Sequence, residues 1–199
     1  MLPILLTGLL AGSQHVVTGA DHVAAVAPLA VDSRRFAWTA GLHWGIGHAC
    51  GLALLGGLFV AFREALPVES ISAWSELIVG GLLIVIGGRG LVAAFAPPAH
   101  GHRHPRTAFC AGTVHGFAGT SHVIGVVAAL ALPTRTEAFG YLLGFAAGNV
   151  LAMIAFSAML GFFATRLERN GARAHRRLLC GLSLLTMAVG GVWIGLALR

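Results

Sequence analysis

The chain has no lysine, one tyrosine and seven acidic residues, and charged residues make up only 10% of its 199 positions. Soluble globular domains carry about 25% charge, so the polar surface that such a domain shows to water is excluded. All thirteen basic residues are arginines, and no basic stretch interleaved with aromatics is present to track a phosphate backbone. The net charge of +6 therefore does not point to nucleic acid as a partner. The cysteines Cys50, Cys110 and Cys180 are isolated in apolar segments. Without a CxxC pair, neither a disulfide framework nor a thiolate metal site is indicated. An HExxH metalloprotease motif and a nucleotide-binding loop are also missing. No catalytic residue and no organic cofactor are expected, and the chain is not read as an enzyme. The start, Met1-Leu2-Pro3-Ile4, lacks the basic region of a signal peptide and is expected to belong to the first span.

What is present in quantity is apolar sequence, at 57% of residues. A membrane-spanning helix needs about 20 apolar residues, and six stretches qualify, roughly 4–31, 36–62, 73–96, 108–132, 137–164 and 177–198. The connections are short, so nearly all of the chain is expected to lie in a lipid bilayer. The first stretch is interrupted by Gly19 and Asp21, which predicts a kinked or broken helix.

Inside that first stretch the chain reads Gly12-Ser13-Gln14-His15-Val16-Val17-Thr18-Gly19-Ala20-Asp21-His22. Ionisable groups are costly in hydrocarbon and normally line a pathway or bind a partner. The pattern returns one hundred residues later as Gly112-Thr113-Val114-His115-Gly116-Phe117-Ala118-Gly119-Thr120-Ser121-His122, with serine where the first copy has aspartate. The repeat extends further. Ala37 to Ala49 aligns with Ala138 to Val150, setting His48 on Asn149, and Ile86-Gly87-Gly88 aligns with Val189-Gly190-Gly191. The fold class is therefore read as an all-α integral membrane protein of six transmembrane helices in a 3+3 inverted repeat. Residues 1–96 form the first three-helix repeat, 97–107 a histidine-rich cytoplasmic loop, and 108–199 the second repeat. An odd number of spans per half inverts the second half, and transporters built this way hold their site near the midplane.

Arginine counts orient the chain. Arg34, Arg35, Arg103, Arg106, Arg166, Arg169, Arg173, Arg176 and Arg177 share one side, which is expected to be cytoplasmic, and only Arg63, Arg135 and Arg199 lie on the other. Both termini then face outward, in the cell (inner or plasma) membrane.

On a continuous helix His15 and His22 are two turns apart and line up, with Thr18 between them. Asp21 lies about 100° round from His22, and it joins the site if the helix unwinds at Gly19. In Gly41-Leu42-His43-Trp44-Gly45-Ile46-Gly47-His48, a five-residue gap turns about 140°, so His43 and His48 face one ligand only on a distorted helix. His115, His122 and Asn149 are the symmetry-related continuation of the route. The expected metal residues are His15, Asp21, His22, His48, His43, His115, His122 and Asn149. Imidazole with one carboxylate suits nickel, cobalt, zinc or copper as a divalent ion better than magnesium or calcium. His100, His102 and His104 lie in the 97–107 loop, where histidines can collect metal weakly.

The early span with His15, Asp21 and His22, the glycine-flanked His43 and His48, the histidine-rich loop and the high hydropathy together resemble the nickel and cobalt transporter superfamily, including its urease-accessory-like membrane branches. Members share a histidine, a short gap and Asp-His in an early span; here the gap is five residues where four is usual, and the spans are six where import-type members have eight. The resemblance implies a permease that carries Ni2+ or Co2+ as substrate, with His15, Asp21 and His22 as the selecting residues, and the donor chemistry adds Zn2+ as a further candidate. The expected partners are the metal ion, the lipid bilayer and a cytoplasmic metal chaperone. The competing expectations are a metal-delivery accessory protein without flux and a six-span membrane redox carrier.

Overall fold

The computed structural model describes residues 1–62, 68–96, 105–118, 128–129, 131–169 and 171–198, with residues 56–62 and 68–73 described in backbone only. Helix α1 covers Leu2–Thr18 and α2 Ala20–Ser33, and a short 3-10 turn at Arg34–Phe36 leads into α3, Ala37–Phe62. Then come α4 at Val68–Phe95, α5 at Pro105–Ala118, α6 at Arg135–Arg169 and α7 at Ala172–Ala197. The fold is all-helical, with no strand among the described residues.

Among the described residues, three helices are long and apolar enough to cross a membrane, Trp74–Phe95, Arg135–Arg169 and Ala172–Ala197. The first expected span is not a rod. It breaks at Gly19, and a 74° bend separates Leu2–Thr18 from the segment that starts at Ala20; the bent pair counts as a fourth candidate. Helix α5 has 14 described residues, about 21 Å at 1.5 Å per residue, short of the roughly 30 Å hydrocarbon core. Most of the sequence that was expected to extend it to a full span, residues 119–127 and 130, lies outside the described residues.

Helix α1 packs along α6, α3 lies between α5 and α6, and α4 pairs with α7, while α2 threads the middle and touches α3, α4, α6 and α7. That central place follows from composition. Ala24, Ala25, Val26, Ala27, Pro28, Ala30 and Val31 are all buried, and a helix that is apolar all round belongs in a core. Pro28 cannot donate a backbone hydrogen bond to the Ala24 carbonyl. Thr186 of α7 makes good the loss: its hydroxyl lies 2.8 Å from the Ala24 oxygen and 2.8 Å from the Leu182 oxygen of its own helix.

The helices approach one another through glycines. A methyl group on Gly12 would collide with the Phe145 carbonyl, one on Gly148 with the Leu9 carbonyl, one on Gly112 with the Trp44 carbonyl and one on Gly47 with the Phe109 carbonyl. Where no hydrophobic drive pulls helices together, such small contacts decide the packing. At the arginine-rich end, Arg34 pairs with Glu168 at 2.8 Å and the Arg176 guanidinium lies over the Phe95 ring. The ends of α2, α4, α6 and α7 therefore meet there.

Candidate metal centre

The break at Gly19 makes the centre. Gly19 has φ −77° and ψ 98°, extended backbone open to any residue, so its dihedrals do not require glycine. Space does. A methyl group there would fall on His22 Nδ1 and 3.0 Å from Asp21 Oδ1. With α2 starting at Ala20, Asp21 sits in the first turn of the helix, where the positive end of the helix dipole favours a carboxylate.

Asp21 is buried and uses both oxygens. Oδ1 lies 3.0 Å from His22 Nδ1 and accepts the His22 backbone N–H at 3.0 Å, while Oδ2 lies 3.3 Å from His115 Nε2 on α5. The His22 ring centroid is 4.5 Å from that of His15, 4.5 Å from that of His115 and 4.9 Å from that of His48. His48 in turn lies 5.8 Å from His15 and 5.7 Å from His115. His22, His48 and His115 are fully buried, and His15 is half-buried. Aromatic walls close two sides: Phe145 is 5.4 Å from His15, and Trp44 is 5.4 Å from His115.

Five of the eight residues expected from the sequence are thus together, brought from α1, α2, α3 and α5. The donor atoms of His15, His22 and His48 lie within 4.8 Å of one another, and so do those of Asp21, His22 and His115. A tetrahedral shell with metal–nitrogen bonds of 2.0–2.1 Å has donor-to-donor edges of about 3.4 Å, so small side-chain rotations suffice to close either triad on an ion.

Asn149 is 1% exposed, and neither its amide nitrogen nor its oxygen has a partner among the described residues. It lies one turn along α6 from Phe145, on the face that meets α1 and α3. His43 goes elsewhere. Helix α3 runs unbroken past both histidines, which keeps them on different faces, and His43 Nδ1 donates to the Thr39 carbonyl at 2.7 Å. Thr18, expected between His15 and His22, is exposed and donates to the Gln14 carbonyl. His122 and the loop histidines His100, His102 and His104 lie outside the described residues. Cys50, Cys110 and Cys180 are free thiols.

Sequence reasoning passed over Trp44 and Phe145. The signal that could have found them is the alignment that sets His48 on Asn149, because the same shift sets Trp44 on Phe145.

Against known proteins, the chain is 28% identical to the urease accessory protein UreH of Bacillus sp. (strain TB-90) over 81% of its own length and 77% of that protein. It is a distant homologue of UreH. It is also 31% identical to the Chloroplast proteins FOR GROWTH AND FERTILITY 2 and 1 of Arabidopsis thaliana, over 92% of this chain in each case and 54% and 56% of theirs. The chain therefore spans about half the length of these two plant relatives. No family model matches, and no solved structure matches.

Proposed function

We propose that the chain is a membrane permease for a divalent transition-metal ion, nickel or cobalt first, with His15, Asp21, His22, His48 and His115 as the site the ion passes. The observation that carries this reading is the buried convergence of four imidazoles and one carboxylate from four helices. A set of this kind is costly to bury unless something binds it, and its donors match late first-row ions. Neutral imidazoles also let an ion leave, as transport demands. The chain is not an enzyme on this reading, and the driving energy comes from an ion gradient, the membrane potential or a separate partner.

The site lies between two inverted three-helix repeats. Support comes from contacts that recur with the halves exchanged. Gly12 against the Phe145 carbonyl corresponds to Gly112 against that of Trp44, and Gly148 against Leu9 corresponds to Gly47 against Phe109. A methyl group on Gly190 would meet the Gly80 carbonyl oxygen at 2.7 Å, just as one on Gly87 would meet the Ser183 carbonyl oxygen at 2.6 Å. A two-fold axis between the halves produces this exchange of roles, and it also accounts for Phe145 and Trp44 standing equally far from His15 and His115. The arginine-rich end, with Arg34, Arg166 and Arg176, faces the cytoplasm.

The name of the Bacillus relative favours one second reading, metal delivery to an enzyme without flux. Reconstitution in liposomes separates the two: uptake of Ni2+ or Co2+ by the wild type that is lost in His22→Ala supports the permease, and binding without uptake supports delivery. No effect of His22→Ala on uptake would remove the site.

A further inference from the structure

We propose that the centre is two cation stations sharing His22, and that the ion crosses by exchanging the ligands on either side of that ring while His22 stays bound. The inference rests on the permease reading above.

Among the described residues the donor groups fall into two sets rather than one. His15, His22 and His48 form an all-imidazole triad, and Asp21, His22 and His115 form a triad with a carboxylate. His22 belongs to both. Its ring stands 4.5 Å from His15 and 4.5 Å from His115, with interplanar angles of 78° and 84°, so it meets each outer histidine in the same edge-on manner. A neutral imidazole has one nitrogen lone pair to give, since the other nitrogen carries its proton. His22 therefore serves one ion at a time. Two dications this close in a water-poor interior would also repel strongly.

The stations differ in chemistry. The Asp21 station places a full negative charge beside the ion and holds it more tightly, whereas the His15–His48 station is neutral and releases it more readily. They also differ in place. His15 on α1 and His115 on α5 are equivalent under the exchange of halves, so the stations lie on opposite sides of the midplane. Passing from one to the other replaces two ligands while the His22 ring turns with the ion on the same nitrogen, so the ion is never stripped of protein ligands. His48, 5.7 Å from His115, is near enough to follow the ion part of the way.

The test uses the full chain, purified and also reconstituted, with Ni2+ alone as the probe. Binding is read by titration calorimetry, flux in liposomes, and Co2+ electronic spectra report the ligand set. Each variant must elute as one symmetric species, and His22→Gln accompanies His22→Ala because it keeps most of the side-chain volume. The wild type is expected to bind one Ni2+ per chain. His15→Ala and Asp21→Asn each retain one bound ion, Asp21→Asn about tenfold more weakly, with distinct Co2+ spectra and flux lowered more than tenfold. Adding His115→Ala to Asp21→Asn costs no further binding, because both act on one station. Combining His15→Ala with Asp21→Asn brings binding down to the level of the His22 variants, which bind none.

Two ions per wild-type chain, loss of binding in Asp21→Asn as complete as in the His22 variants, or full flux in either single-station variant overturns the shared-station scheme and leaves the permease standing. A wild type that takes up no Ni2+ or Co2+ at all removes the permease reading itself.

Discussion

Asp21 on α2 and His115 on α5 meet through Oδ2 and Nε2 at 3.3 Å, while the other oxygen of the same carboxylate holds His22 at 3.0 Å. One buried carboxylate thus ties the broken first span to the second half of the chain. Its loss has a structural consequence separate from metal binding.

Removing either partner is expected to lower stability by about 1–3 kcal/mol, the cost of leaving a buried polar group without its bond. Groups that share one interaction do not lose it twice. Asp21→Ala, His115→Ala and the double variant, compared by thermal unfolding in detergent without metal, should show the double loss well below the sum of the single losses. Strict additivity would mean the contact carries no energy.

Gly19→Ala tests space against flexibility. The backbone at Gly19 suits alanine, but the new methyl would press on the His22 ring and the Asp21 carboxylate. Overpacking of this kind costs about 1–3 kcal/mol. The helices on either side should still form by circular dichroism, while Ni2+ affinity falls more than tenfold. Unchanged affinity would show that the ring and carboxylate move aside freely.

Thr186 supports α2 from a distance. Replacing it by valine keeps the shape and leaves the Ala24 carbonyl, opposite Pro28, without its donor. Hydrogen bonds between membrane helices average about 0.6 kcal/mol and reach about 1.7. For a chain of this size, 1 kcal/mol shifts the melting midpoint by about 2–4 °C. Thr186→Val should melt a few degrees lower and Thr186→Ser close to wild type; equal melting of all three would deny the hydroxyl its role.

Part of this centre is legible in the sequence because burying charge is expensive. Asp21 and His22 stand out against their apolar surroundings, the repeat of the histidine pair at His115 marks a second copy, and Gly19 beside them marks the break. The rest depends on packing between distant segments. That Asp21 reaches His115 follows from the glycine approaches that set α5 against α3, and no local pattern encodes the depth of that approach. The straight line of His15, Thr18 and His22 expected on one helix does not form, because α1 stops at Thr18 and the bend at Gly19 brings the two rings to 4.5 Å by another route. The position of Trp44 against His115 was hidden for a plainer reason: a tryptophan in an apolar span looks like any core residue until its neighbours are known.

The two histidines of α3 give the sharpest contrast. They are five residues apart on an unbroken helix, so about 140° separates them. His48 is fully buried among His15, His22 and His115, whereas His43 is half-buried and bonds the Thr39 carbonyl on its own helix. His48→Ala removes a donor from the centre and is expected to lower Ni2+ flux more than tenfold. His43→Ala loses one hydrogen bond within its helix, worth about 0.5–1.5 kcal/mol of stability, and should leave flux within about twofold of wild type once expression is matched. Liposome uptake of both variants, measured side by side, decides the matter. If His43→Ala were the damaging change and His48→Ala the silent one, the ion's route would run along the other face of α3, and the centre described here would be a packing cluster.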